Sequence, residues 1–163
     1  MERIILAALL ALGSPLLAAP AQVLTADQVP PVVRQAAQAR FPAAQAVAWK
    51  LKSDKNYEAE FTLKGTEIAA KFDAAGKWLE TESAIARSQV PKAVRTAAAK
   101  QFPGYKVTER QTVQRCNEEH LIYELHLESA GEIVKAQFSA GGKVLTQSAK
   151  PKPAKAAKEA KER

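Results

Sequence analysis

The sequence predicts an α+β fold in which two tandem αββββ repeats form one antiparallel sheet, with the helices packed on one face. The first observation is a duplication, because Gln28-Val29-Pro30 recurs as Gln89-Val90-Pro91 and many of the residues that follow recur with it. The second is periodicity, since apolar residues in each copy are spaced first as in a helix and then as in strands. Repeat one is predicted to span residues 28–84 and repeat two residues 88–148.

Each repeat is predicted to begin with a short helix. In repeat one, an apolar face is formed at four-residue intervals by Val29, Val33, Ala37 and Phe41. In repeat two, the same face is formed by Val90, Val94, Ala98 and Phe102. Pro30 and Pro31 suit a first helical turn, where amide hydrogens have no partner anyway. Pro42 and Pro103 end the helices, because the residue before a proline is disfavoured in the α region.

A β-hairpin is predicted to follow in each repeat. A turn at Lys64-Gly65 sets apolar residues opposite one another: Tyr57 with Phe72, Ala59 with Ala70, Phe61 with Ile68. A turn at Ala130-Gly131 does the same in repeat two: Tyr123 with Phe138, Leu125 with Ala136, Leu127 with Val134. Because a one-residue slip would turn every side chain to the wrong face, the agreement of the two copies supports this register. The polar residues then share the opposite face, which is expected to be open to water or to a partner.

One strand is predicted before each hairpin and another after it. The strand before carries Trp49 in repeat one and Val107 in repeat two, where Glu109 is expected at the position of Trp49. The strand after carries Trp78 and Leu79, or Val144 and Leu145. Both tryptophans are predicted to lie in the core, with a half-exposed Trp78 that anchors a partner as the alternative. Repeats of about 60 residues bury little surface alone, so the two copies are expected to share one core.

The first 21 residues are typical of a signal peptide. Arg3 precedes the apolar run from Ile4 to Leu12, and Ala19-Pro20-Ala21 offers the small residues of a cleavage site. This run is shorter than the roughly 20 residues that cross a bilayer, which disfavours the alternative of a membrane anchor. The mature chain is therefore predicted to begin near Gln22, to be periplasmic or secreted, and not to span a membrane.

Residues 150–163 contain lysine, alanine, proline, glutamate and a final arginine, with no large apolar residue. They are predicted to form a disordered tail, because they cannot bury enough surface to offset the entropy of ordering. Of the net charge of +7, the tail carries +4 (six basic and two acidic residues) and the predicted domain, residues 22–149, carries +3. The tail is expected either to be attracted weakly to anionic surfaces or to be a solvated segment only. The nearly balanced domain argues against nucleic-acid binding.

Taken in order, these features resemble the PepSY-like domain. The residues that carry the resemblance are Val29-Pro30, Phe41-Pro42, Trp49, Tyr57 to Phe61 and Phe72 to Leu79. Repeat two matches less well, since Ser139 replaces the aspartate and Val144 the tryptophan. Members of this family resemble the β-lactamase inhibitory protein in fold, so the resemblance implies a bacterial envelope protein whose sheet presents a concave protein-binding face. It does not imply inhibition of a β-lactamase, because the contact residues of the inhibitor have no match here.

The sequence predicts a binding module and no enzyme. It contains no phosphate-binding glycine loop, no readable catalytic triad and no metal-spaced histidine motif, so no catalytic residue and no cofactor are expected. Glu58 and Glu60 could form an acid–base pair, but solvated carboxylates that alternate along a half-buried strand explain them better. The predicted function is recognition of a protein or peptide of the bacterial envelope by the polar sheet face. The residues expected to bind are Lys50, Glu58, Glu60, Lys71, Glu124, His126 and Gln137.

The alternative is a metal- or redox-responsive periplasmic protein. Cys116 is the one cysteine of the chain, and it lies with His120 in the loop that is enlarged in repeat two, while His126 lies on the next strand. Two imidazoles and a thiolate could bind copper or zinc, although their spacing fits no standard zinc pattern. A single cysteine excludes an internal disulfide and leaves a free thiol or an intermolecular bridge.

Overall fold

The structure is a computed structural model that describes residues 21–152. Across these residues the chain forms one nine-stranded antiparallel sheet and two α-helices. The strands are β1 (Gln22–Leu24), β2 (Gln45–Leu51), β3 (Tyr57–Leu63), β4 (Thr66–Phe72), β5 (Trp78–Ala84), β6 (Lys106–Arg115), β7 (Ile122–Glu128), β8 (Glu132–Phe138) and β9 (Val144–Pro151). The helices are α1 (Pro31–Arg40) and α2 (Lys92–Gln101), each preceded by a short 3-10 turn. The predicted α+β class and single antiparallel sheet are confirmed, with neighbouring strands paired in chain order.

The helices begin and end where the prolines predicted. Helix α1 starts at Pro31, directly after Pro30, and α2 starts directly after Pro91. Both end one residue before a phenylalanine whose amide still donates to the last turn, and a proline follows each phenylalanine. The side chains of Val33 and Ala37 in α1, and of Val94 and Ala98 in α2, are buried against the sheet. Each helix therefore attaches to the sheet by one narrow apolar stripe.

Both predicted hairpins have the predicted register. Strands β3 and β4 pair Tyr57 with Phe72, Ala59 with Ala70 and Phe61 with Ile68. Strands β7 and β8 pair Tyr123 with Phe138, Leu125 with Ala136 and Leu127 with Val134. The first turn has positive φ at Lys64 (51°) and Gly65 (80°), the geometry that matches the twist of the flanking strands. These pairs place the apolar residues that they join on the face that the helices cover, whereas Ile122 of β7 and Ile133 of β8 lie on the opposite face.

The expectation of one shared core is wrong, because the structure has two hydrophobic clusters side by side on the same face of the sheet. The first half of the molecule (residues 26–84) contributes Val29, Val33, Ala37, Trp49, Ala59, Phe61, Ala70 and Phe72. The second half (residues 87–151) contributes Val90, Val94, Ala98, Phe102, Leu125, Leu127, Val134, Ala136 and Phe138. Between them, β5 and β6 present paired polar residues, Thr81 opposite Gln114 and Ser83 opposite Thr112. Polar side chains at this junction keep the clusters apart.

The two tryptophans differ in burial. Trp49 is buried in the first cluster, as predicted, whereas Trp78 is half-buried at its edge. The guanidinium carbon of Arg40 lies 3.5 Å from the ring centroid of Trp78, a cation–π contact. The indole nitrogen donates to Thr81 Oγ1 at 2.9 Å. Trp78 thus joins the end of α1 to β5, and its ring is covered by this chain's own arginine.

The pairing corrects the expected equivalence of Trp49 and Glu109. Trp49 pairs with Ala59 in β2 and β3, while Arg110 pairs with Leu125 at the corresponding position of β6 and β7. Glu109 corresponds instead to Ala48 and points to the opposite side of the sheet, as neighbouring residues of a strand do. An arginine therefore stands in the second half where the first half has a buried tryptophan.

Both ends of the described chain extend the sheet beyond the predicted limits. Strand β1 was not predicted, and it adds an edge strand by pairing with β2. Strand β9 reaches Pro151, so Lys150 and Pro151 of the predicted disordered tail are paired with Ile133 and Glu132. Backbone pairing of this kind needs no apolar side chain, which is why composition alone missed it. The predicted signal peptide and most of the predicted tail lie outside the described residues.

Each helix approaches a turn of the sheet so closely that the turn requires glycine. A Cβ atom on Gly76 would lie 2.9 Å from the carbonyl oxygen of Val32, and one on Gly142 would lie 2.7 Å from that of Ala93. Both glycines also have positive φ, 81° and 84°. The missing side chain lets the first turn of each helix rest on the turn before the last strand of its half.

We expect Gly142→Ala to cost about 1–3 kcal/mol more unfolding free energy than Gly104→Ala, because only the former places a methyl group against backbone. Gly104 is the matched control: its φ is 81°, and a Cβ atom there would meet nothing within 4 Å. Chemical denaturation of both variants measures the difference. Equal losses would show that the close approach of α2 to the turn contributes nothing to stability.

Candidate functional site

The polar face is the side of the sheet opposite the helices, and all seven residues predicted to bind lie on it. One row runs across the sheet through Lys50, Glu58, Lys71, Glu80 and Arg115. A second row contains Gln111, Glu124 and Gln137. Glu60 and His126 lie nearer the ends of their strands. Glu60 pairs with Ala48 of β2 and His126 pairs with Glu109 of β6, each just after a bulge in that strand. Residues from both halves of the molecule therefore share one surface.

The expectation that this face is simply open to water is wrong for three of the seven residues. Glu58, Glu124 and Gln137 are only 6%, 0% and 9% exposed. Glu58 is covered by Lys52, whose Nζ lies 2.9 Å from Glu58 Oε1. Lys135 likewise contacts Glu124, and Arg115 contacts Gln137, so long basic side chains help to remove these groups from solvent. The acid–base pair considered for Glu58 and Glu60 is also engaged, since Lys50 Nζ lies 2.5 Å from Glu60 Oε1.

Glu80 links the two halves across the face. Its Oε1 lies 2.7 Å from Lys71 Nζ of the first half, and its Oε2 lies 3.1 Å from Arg115 Nε of the second. Arg115 also donates from Nη2 to Gln137 Oε1 at 2.9 Å. This chain of contacts spans β4 to β8. It ties together strands that share no hydrophobic cluster.

Glu124 is the most completely buried carboxylate of the face. Its Oε1 accepts hydrogen bonds from Gln111 at 2.6 Å and from Lys135 at 2.8 Å, and its Oε2 accepts one from Gln137 at 2.7 Å. His126 Nε2 lies 3.2 Å from Oε1. Both oxygens are thus satisfied, as a buried carboxylate requires.

These contacts keep Glu124 ionised. Burial by itself would raise the pKa of Glu124, but hydrogen bonds with His126, Lys135 and Gln137, together with the charge of Lys135, lower that pKa to about 2. Attraction to the carboxylate raises the pKa of Lys135 in turn, against the effect of its own burial. Glu124 and Lys135 therefore form a fixed ion pair at neutral pH.

Glu80 and Glu82 lie two residues apart on β5, and their pKa values shift in opposite directions. Burial opposes ionisation of Glu80, yet hydrogen bonds from Lys71 and Arg115 hold the pKa of Glu80 below its ordinary value. Burial raises the pKa of Glu82, and repulsion from nearby carboxylates adds to this rise, while Lys135, with its Nζ 3.8 Å away, opposes it only in part. As the pH falls, Glu82 takes up a proton before Glu80 does.

Sequence reasoning missed nearly half of the polar residues of this face. The polar face also contains Lys52, Glu80, Glu82, Gln111, Arg115 and Lys135. Alternation in β5 could have marked Glu80 and Glu82 as neighbours on one face. The β5–β6 register could not be predicted in the same way, because α2 and its flanking turns separate the two strands in the chain.

The structure places Cys116 and His120 at the β6–β7 loop and His126 on β7. Cys116 directly follows the end of β6, and its backbone amide donates to the carbonyl of Leu79 in β5. Its Sγ lies 3.3 Å from Asn117 Oδ1. His126 pairs with Glu109 of β6, which precedes Cys116 by seven residues. Seven residues of extended chain span about 20 Å, so Cys116 and His126 lie far apart. His126 Nδ1 instead contacts Glu109 Oε2 at 2.6 Å. Within residues 21–152, no group of three or more histidine, cysteine, aspartate or glutamate side chains is arranged to hold a metal ion.

One part of the polar face remains open, and we call it the acidic cleft. It has a volume of about 500 Å³ and lies between the β3–β4 hairpin and the start of β6. Its polar lining residues are Glu60, Thr62, Glu67, Glu82, Glu109, Gln111 and His126. Glu67 is exposed and forms no ion pair with any residue in the described range. Glu109 is 64% exposed although it contacts His126. Negative charge is therefore left uncompensated at this place.

A protein-family model described as "Putative beta-lactamase-inhibitor-like, PepSY-like" matches residues 18–69 and 55–146. The chain belongs to this family. The resemblance inferred from Val29-Pro30, Phe41-Pro42 and the hairpin residues is thereby confirmed. No curated protein matches the PepSY-like chain.

Solved structures share the fold. A BLIP-like protein from Bacteroides fragilis NCTC 9343 is 27% identical with a TM-score of 0.60, over 72% of this chain and 84% of that one. A DUF2874 family protein from Bacteroides uniformis ATCC 8492 is 23% identical with a TM-score of 0.66, over 74% and 88%. A protein of Bacteroides eggerthii DSM 20697 described as a putative periplasmic protein is 23% identical with a TM-score of 0.67, over 74% and 88%. The family match and the likeness to the BLIP-like protein fit a non-enzymatic binding module. Within the described range, no helix is long and apolar enough to cross a membrane.

We expect Glu124→Gln to lower the unfolding free energy at pH 7 by about 3 kcal/mol, the equivalent of the fall in the pKa of Glu124 from 4.5 to about 2. Because the folded-state pKa lies below the unfolded value, this contribution is complete above about pH 5 and disappears as the pH falls toward 2. The variant should therefore lose less stability than the wild type over that interval. Urea denaturation of both proteins at a series of pH values measures this difference in unfolding free energy.

Glu60→Gln is the control for this prediction, since Glu60 lies on the same face but is 37% exposed and contacts one lysine. An exposed pair of this kind contributes about 1 kcal/mol or less. If Glu124→Gln keeps the wild-type pH profile, or costs no more than Glu60→Gln, the buried carboxylate does not organise the face.

Proposed function

We propose that this chain is an exported, non-enzymatic module that binds a protein or peptide of the bacterial envelope through its polar sheet face. Membership of an inhibitor-like family and the periplasmic description of a structural relative support it. The observation that carries the proposal is the acidic cleft, an open part of the face with uncompensated negative charge, whereas most other charges of the face are paired. The partner is expected to present lysine or arginine side chains to this cleft.

The neutralised residues would serve as support for the cleft. Lys50 contacts Glu60, and Lys135 contacts both Glu82 and Glu124. Their side chains are already held in place, so binding costs little further ordering. Exposed carboxylates beside this fixed surface attract a basic partner and speed its approach. Of the seven residues predicted from the sequence, Glu60 and His126 line the cleft, while Glu58, Glu124 and Gln137 act beneath the surface.

The proposal includes the organisation of the chain. We take the two halves to be tandem repeats, because each runs in the order 3-10 turn, helix and four strands, and their buried residues correspond. Residues 1–21 would be removed as a signal peptide near Ala21, leaving a folded domain that covers residues 22–149 and the end of β9. The basic segment that follows would add a weak, salt-sensitive attraction to anionic surfaces.

Glu67→Lys should weaken partner binding by about tenfold at low ionic strength, because it places a cation in the acidic cleft. The matched control is Glu119→Lys, an equal change of charge at an exposed position of the β6–β7 loop. The partner would first be captured from envelope extract with wild-type protein by cross-linking, then purified and titrated against all three proteins. Reversal of Glu58 is unsuitable, because it would bury an ammonium group against Lys52 and destabilise the fold.

Increasing salt should reduce wild-type affinity and reduce the difference between the variants. Equal affinity of Glu67→Lys and wild type would remove the cleft from the binding surface. Failure to capture any partner at low ionic strength would contradict the proposed function itself.

A further inference from the structure

A second cavity lies on the other side of the sheet, beneath α2. Its volume is about 400 Å³, within the range of small-molecule sites. Its apolar lining residues are Val90, Ala98, Ala99, Phe102, Tyr105, Val107, Leu125 and Leu127. The remaining lining residues are all basic: Arg87, Arg95, Lys106 and Arg110. We call this space the second-half cavity.

The four cations of the second-half cavity have no carboxylate partner. Among the described residues, none of them has a nitrogen within 4.0 Å of an acidic oxygen, whereas the lysines of the polar face do. Arg95 donates to the Val90 carbonyl, and Arg110 donates from Nη2 to the Val107 carbonyl at 3.0 Å. Backbone contacts thus hold two guanidinium groups beside the cavity and leave their other N–H groups free. Positive charge is therefore concentrated at this cavity, and no acidic side chain of the described residues neutralises it.

The first half provides a comparison within the same molecule. A cavity of about 380 Å³ lies at the corresponding place beneath α1, but Arg34 is the one basic residue among its described lining residues. Trp49 occupies the position of Arg110 in the sheet register, and Gln45 occupies that of Lys106. The cavity is therefore a consequence of the fold, while its basic rim is particular to the second half.

We propose that the second-half cavity binds an anionic amphiphile, namely a carboxylate with an alkyl tail. The tail would lie on the floor formed by Phe102, Leu125 and Leu127, where it gains from removal of apolar surface from water. The carboxylate would be held by Arg95 and Arg110, because a guanidinium group matches a carboxylate with two parallel hydrogen bonds. Tyr105 contributes its ring to the wall, since its hydroxyl already donates to Glu132.

Three probes of equal tail length separate charge from apolar contact: decanoate, decanol and decyltrimethylammonium. The mature chain, residues 22–163, would be titrated with each below its micelle concentration and followed by methyl NMR. We expect decanoate to shift the signals of Leu125 and Leu127 and to bind at least about tenfold more tightly than decanol, as charge-assisted hydrogen bonds predict. The cationic probe should bind more weakly than decanol. Decanoate binding no tighter than decanol, or shifts confined to other residues, would overturn the proposal.

Variants distinguish this cavity from its counterpart. The double variant Arg95→Gln, Arg110→Gln should lose about tenfold in decanoate affinity while its decanol affinity stays unchanged. Arg34→Gln is the matched control, because Arg34 donates to the Val29 carbonyl at 3.2 Å just as Arg95 donates to that of Val90. Arg110→Trp, which installs the first-half residue, should also weaken decanoate. Equal weakening by Arg34→Gln, or none in the double variant, would overturn the assignment.

Discussion

The pairing of β5 with β6 holds the two halves of the molecule in one sheet. Its residue pairs run from Glu80 opposite Arg115 to Ala84 opposite Gln111. No hydrophobic cluster crosses this junction, because its helix side carries Thr81 and other polar residues. The alignment of the halves therefore depends on backbone hydrogen bonds and on side-chain contacts of β5 with the second half, among them Glu80 with Arg115 and Glu82 with Gln111. The polar face exists as one surface because this pairing places strands of both halves side by side.

The ion pairs of that face position residues more than they stabilise the fold. Taking a carboxylate such as Glu124 out of water costs much of what Lys135 and the amide donors return, so such a network adds little net stability compared with apolar packing. Removal of one member is still costly, because it leaves the other buried polar groups without their partner. What the ion pairs provide is a fixed arrangement in which most charges have at least one partner. Against this background, uncompensated groups such as Glu67 in the acidic cleft are the charges that remain available to other molecules.

The two halves share a fold but not a chemistry. Each half places a helix over a cavity, and each uses a glycine to let the helix approach a turn. Beneath α1 the sheet presents the buried ring of Trp49, whereas beneath α2 it presents Arg110 with other cations nearby. A duplicated framework can diverge in this way, because either residue suits the strand while the helix stripe and turn glycines are retained. An anion-binding cavity and an acidic cleft thus lie on opposite faces of one sheet.

The sequence by itself determined the helices, both hairpins and their registers. Those features depend on neighbours in the chain, since proline placement ends a helix and the two-residue alternation around Lys64-Gly65 selects one pairing. Only the tertiary structure decided which strands join the halves, that Glu124 is buried, and that Cys116 and His126 lie far apart. These properties depend on side chains that strand pairing brings together from distant parts of the sequence, where local periodicity carries no information about register or burial.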